Sequence, residues 1–170
     1  MKTVNRIGFV LLLSISETTL SAQPVQQTSD STLDPLAAIV DADPMELARV
    51  VRRIGDNAVI ERLEEDKPIE VRIAAIRATR WMRAPERALA ALAEEVGSRD
   101  CDLAPAAARA ALRIASELTA DELATREVMP EQLRQARALF AQAAKNALLR
   151  PDIRLYAAQT QEALRAAGVP

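Results

Sequence analysis

Histidine is absent from this chain of 170 residues, and cysteine occurs once, at Cys101. Without an imidazole there can be no Ser-His-Asp or Cys-His nucleophile and no histidine-bearing metal site. With a single thiol there is no internal disulfide and no paired-cysteine redox or metal motif. Cys101 stands between Asp100 and Asp102, and two adjacent carboxylates oppose thiolate formation, so an inert or merely oxidisable thiol is expected. The glycine-rich dinucleotide fingerprint and the phosphate-binding P-loop are both missing. The acidic run Glu64-Glu65-Asp66 lacks the alternating aspartates of a calcium loop and reads as a solvated helix end. These absences predict no enzyme activity, no metal and no cofactor.

Aromatic residues make up 2% of the chain: Phe9, Trp81, Phe140 and Tyr156. That is too few for a base-stacking platform, and the net charge of −2 is the wrong sign for a nucleic-acid binder. Long apolar runs are scarce as well. The one near the start, Ile7 to Ile15, is about half of the roughly 20 residues a spanning helix needs. Lys2 and Arg6 precede it, and a polar stretch ending in small residues follows. This is the order of a secretory signal peptide over residues 1–22, cleaved after Ala22. An uncleaved anchor is the alternative. Cleavage removes two basic groups and one acidic from totals of 22 and 24, leaving 20 and 23. The expectation is an exported protein, periplasmic or secreted, with no stable membrane span after cleavage. Residues 23–33, polar and aperiodic, read as a flexible leader, and 34–170 as the folded domain.

What is abundant is Ala, Leu, Ile and Val, within an apolar fraction of 49% broken by four glycines. Prolines punctuate it. Pro35, Pro44, Pro68, Pro85, Pro105, Pro130 and Pro151 each open a stretch of helical apolar spacing. Proline suits the first helical turn, where its missing N–H has no partner to lose. Acidic residues follow several of them, and Asp43-Pro44-Met45-Glu46 and Thr119-Ala120-Asp121-Glu122 have the pattern of capping boxes. The pattern predicts an all-α chain with helices near 34–41, 44–55, 57–65, 68–83, 85–97, 104–118, 131–149 and 151–167. The 119–130 stretch is either a short extra helix or a longer linker. Phe140 falls in register with Leu133, Ala136 and Leu148 and reads as core.

Four helix starts share a proline followed by an arginine: Arg49, Arg72, Arg109 and Arg154. Asp66, Pro68 and Val71-Arg72-Ile73-Ala74-Ala75 resemble the HEAT repeat, the armadillo-related hairpin that stacks into a solenoid. Asp102, Pro105 and Ala108-Arg109-Ala110-Ala111 are similar, Pro151 and Ile153-Arg154 less so, and Asp43 to Arg49 faintly. The resemblance implies a short HEAT-like α-solenoid of about four helical hairpins. It also implies an inter-repeat ladder of hydrogen bonds among Asp43, Arg49, Asp66, Arg72, Asp102 and Arg109. Arg154 has Leu148 where the acid would stand, as befits a terminal repeat.

A helical register through 69–83 puts Val71, Ala74, Ala75, Ala78, Trp81 and Met82 on one side and Arg72, Arg80 and Arg83 on the other. Extended to the matching helices, the second side collects Arg49, Arg53, Arg109, Arg113, Arg154 and Arg165. In a solenoid these strips line the concave face and form a binding strip. The expected function is a non-enzymatic scaffold whose concave face binds a protein partner. The alternative is a module for an anionic envelope polymer or lipid head group, held by the arginines; an ordinary solvated helix face would carry the same charges.

Overall fold

The computed structural model describes residues 34–39, 43–125 and 130–170. The expected signal peptide and leader lie outside the described residues. Every regular element within them is helical. The α-helices are α1 (Pro44–Ile54), α2 (Asp56–Glu61), α3 (Ile69–Ala78), α4 (Leu89–Val96), α5 (Leu103–Glu117), α6 (Ala120–Thr125), α7 (Pro130–Lys145) and α8 (Pro151–Ala166). Short 3-10 turns cover Ala37–Ile39, Thr79–Trp81 and Pro85–Ala88. No strand occurs among the described residues, so the all-α reading holds.

Helix starts follow their local chemistry. Pro44 and Pro151 occupy the first turns of α1 and α8, Pro130 opens α7, and Pro68 stands just ahead of α3. Pro105 is the third residue of α5, still within the turn whose N–H groups lack intrahelical partners. The carboxylate of Asp43 accepts the N–H of Met45 at 2.9 Å. At α6 the capping box is reciprocal: Glu122 N–H donates to the Thr119 hydroxyl at 3.2 Å, and Thr119 N–H to the Glu122 carboxylate at 3.1 Å.

Helix ends depart further from expectation. The stretch 34–41 holds only the 3-10 turn Ala37–Ile39 among its described residues. α3 tightens into a 3-10 turn after Ala78, where the Thr79 hydroxyl donates to the Ile76 carbonyl at 2.7 Å. α7 stops at Lys145 rather than 149, because the Asn146 side chain accepts the N–H of Leu148 at 3.0 Å and turns the chain. Leu148, expected in the core beside Phe140, is consequently 95% exposed, whereas Phe140 is fully buried.

The core is built from Leu36, Val51, Val59, Leu89, Leu92, Leu103, Ile114, Phe140 and Leu164, all fully buried or nearly so. Alanine dominates the buried faces of α3 and α5, at Ala74, Ala75, Ala78, Ala107, Ala108 and Ala111, which lets these neighbouring helices approach closely. α1 touches α2 and α3, α2 touches α3, and α3 touches α5. α4 packs on α5 and α7, while α8 packs on α5 and α7. Between α1 and α2 the chain turns through Gly55 at φ +82°, a left-handed conformation that a side chain would strain although nothing crowds the space.

Candidate docking grooves around Trp81

A groove of about 700 Å³ runs between α3 and α5, with Pro44 and Leu47 of α1 contributing. Its apolar lining comes from Ile73, Ile76, Ala106 and Ala110, and its charged lining from Arg77, Arg80, Arg109, Arg113 and Asp102. Arg80, Arg109 and Arg113 thus share the lining with one carboxylate, and Arg77 is engaged elsewhere as well. Spacing explains the pairs: Arg109 and Arg113 are four apart on α5, and Arg77 and Arg80 three apart where α3 ends, so each pair shares a face.

Arg113 is the most enclosed of these. Its Nη2 donates to the Thr79 hydroxyl at 3.2 Å. Desolvation pushes its pKa below the ordinary guanidinium value; nearby Glu117 opposes the shift and the Arg80 charge adds to it. The group stays cationic and partly enclosed, open to an incoming anion. The Arg80 guanidinium lies over the Trp81 ring, 5.5 Å from its centroid, within cation–π range.

Trp81 also lines a smaller notch of about 390 Å³, together with Arg52, Arg53, Gly55, Asp56, Asn57, Arg83 and Arg87. Both Asp56 oxygens are occupied: Oδ1 accepts the backbone N–H of Arg83 at 3.1 Å, and Oδ2 that of Ala84 at 2.9 Å. Arg87 Nη2 donates to the Asn57 side-chain carbonyl at 2.7 Å, and Arg52 Nε to the Ala48 backbone carbonyl at 3.3 Å.

The nine arginines of the expected strip are divided by this geometry. Arg80, Arg109 and Arg113 line the larger groove, and Arg53 and Arg83 the notch. Arg49 is exposed on α1 and lines neither. Arg72 forms a fork with Glu95, Nε to Oε1 at 2.8 Å and Nη2 to Oε2 at 2.5 Å, in a separate hollow with Glu65, Glu94, Arg99 and Asp100. Arg154 and Arg165 stand on α8, outside these cavities; Arg165 is held by Glu162 at 2.5 Å. That pairing raises the Arg165 pKa and lowers that of Glu162.

The expected ladder pairs are also rearranged. Asp43 is spent on the α1 cap, Asp66 meets Lys67 at 3.0 Å, and Arg72 takes Glu95 instead of Asp66. Glu95 is 3% exposed and needs a cation, whereas Asp66 is solvated and does not. Asp102 and Arg109 both line the larger groove but form no ion pair among the described residues.

Sequence patterning missed Arg77, Arg52 and Arg87 as cavity residues and Glu95 as a partner. Arg77 was legible as the residue four after Ile73 on the same face. The others depend on contacts distant in sequence. No cluster of acidic or thiol side chains among the described residues could hold a metal ion, and no described helix is long and apolar enough to cross a membrane. Cys101 is exposed. Compared with protein-family models, curated proteins and solved structures, the chain has no match.

Proposed function

We propose that this chain is a small exported helical-repeat scaffold, HEAT-like in construction, that docks a segment of another protein between α3 and α5 and does no chemistry on it. The observation that carries this reading is the groove itself, where arginines from two neighbouring helices flank an apolar strip with Trp81 at its side. An extended segment with alternating carboxylates and apolar side chains fits such a lining, the forks taking the charges and the strip taking the rest.

Helix neighbours support the repeat construction. The helices that open at the four proline–arginine copies touch in the order α1, α3, α5, α8. Their hairpin partners form a second set, with α2 against the turn that leads into α4, and α4 against α7. Contact in chain order within two sets of helices is what stacked hairpins produce. Arg72 and Glu95 then tie one hairpin to the next in place of the expected ladder.

A second reading, an anionic envelope polymer or lipid head group at the same arginines, is favoured by Arg80, Arg109 and Arg113 lining one groove. Salt separates the two, because ion pairs weaken with ionic strength while an apolar contact persists. The test is a photo-reactive side chain at Ala110, in the groove, and another at exposed Ala158 on α8. In envelope fractions the first is expected to crosslink a polypeptide and the second not. Arg80→Glu, Arg109→Glu and Arg113→Glu together should abolish the crosslink while leaving the far-ultraviolet circular dichroism unchanged. A crosslink that survives this triple reversal overturns the reading. Capture of polymer alone, lost at high salt, turns it to the second.

A further inference from the structure

The notch beside the larger groove has its own chemistry and does not depend on the docking reading. Five arginines of this chain are paired with carboxylates: Arg62 with Asp34, Arg72 with Glu95, Arg134 with Glu131, Arg150 with Asp152 and Arg165 with Glu162. None of the arginines that line the notch is among them. Arg52 and Arg87 are held by uncharged oxygens, the Ala48 carbonyl and the Asn57 amide. The side chains of Arg53 and Arg83 make no ion pair among the described residues. The lone carboxylate in the lining, Asp56, has both oxygens on backbone N–H groups; it fixes the wall and offsets one of the four positive charges, leaving the lining net cationic.

Four arginines therefore line a hollow of about 390 Å³ from two walls: the last turn of α1, and the 83–87 stretch pinned by Asp56. A carboxylate would offer two oxygens and one charge to this arrangement. A phosphate offers three or more oxygens and up to two charges, and bidentate forks from opposite walls match its tetrahedron. We propose that the notch is a binding site for a phosphate group, with Arg53 and Arg83 as the principal contacts and Arg52 and Arg87 as supporting ones. The group is either the free ion or one presented on a lipid head.

Trp81, the chain's one tryptophan, lines the notch and reports on it. The experiment titrates the full chain with inorganic phosphate, following tryptophan emission, at constant ionic strength against acetate. A saturable change specific to phosphate is expected. Arg53→Gln with Arg83→Gln should weaken it at least tenfold; both side chains are exposed, and Asp56 binds only the backbone of Arg83, so the fold survives. Arg109→Gln should leave it in place, which separates the notch from the groove across Trp81. No saturable response, an equal response to acetate, or a double variant that behaves as wild type overturns the proposal. Sedimentation with phosphatidylcholine vesicles carrying phosphatidic acid, lost in the double variant, identifies a lipid head as the source. Response to the ion without vesicle binding identifies free phosphate, and either result upholds the site.

Discussion

Glu95 shows how one buried carboxylate decides where a guanidinium goes. Its side chain is 3% exposed and that of Arg72 14%, so neither charge has water enough to stand alone. Glu95→Ala is expected to cost about 3 kcal/mol in urea unfolding, since it strands Arg72 in a low-dielectric site. Replacing both partners with leucine should recover most of that loss, because two apolar side chains need no pairing. Asp100 gives a pH signature. Hydrogen bonds from the N–H groups of Leu103 and Asp102 hold its carboxyl below the usual range, as Arg165 does for Glu162. Both groups titrate lower when folded than when unfolded. Their contribution is therefore complete above the ordinary carboxylate range and is lost as pH falls through the folded values, below about pH 4. Thermal melts of Asp100→Asn should fall less steeply with acidification than those of the native chain.

Among the elements, starts were legible and ends only in part: α1, α4, α5 and α8 close within one residue of expectation, whereas α2, α3 and α7 stop four or five residues early. A start is announced by residues within one turn of it, such as Asp43 before Pro44 or Thr119 before Glu122, and the structure uses both. An end depends on what the next helix needs. Nothing in the apolar period of 131–149 distinguishes Phe140 from Leu148, yet the turn at Asn146 leaves one fully buried and the other in water. Phe140→Ala should cost about 3 to 5 kcal/mol, and Leu148→Gln should stay within about 0.5 kcal/mol, both read from denaturant midpoints. If the Leu148 change proved as damaging, the end of α7 would have to be redrawn.

For the whole molecule, the sequence placed the right residue type on the right helices but not in one place. Register correctly paired Arg109 with Arg113, because both stand on an uninterrupted α-helix. It failed for Arg83 and did not reach Arg87; both follow a 3-10 turn and take their position from Asp56 and Asn57, some 30 residues earlier. One continuous arginine wall becomes two cavities sharing Trp81. Charge reversal confined to either cavity should therefore leave the other's ligand bound, a separation readable by combining the crosslinking and phosphate assays in one set of variants.

The alanine-lined faces of α3 and α5 reverse the usual vulnerability of a protein interior. Where large side chains meet, truncation does the harm; where methyl groups meet, there is little left to remove and no room to add. A saturation scan across Ala75, Ala78, Ala107 and Ala108 would find bulk forbidden and glycine comparatively mild. The domain can drift toward looseness at these positions far more readily than toward girth.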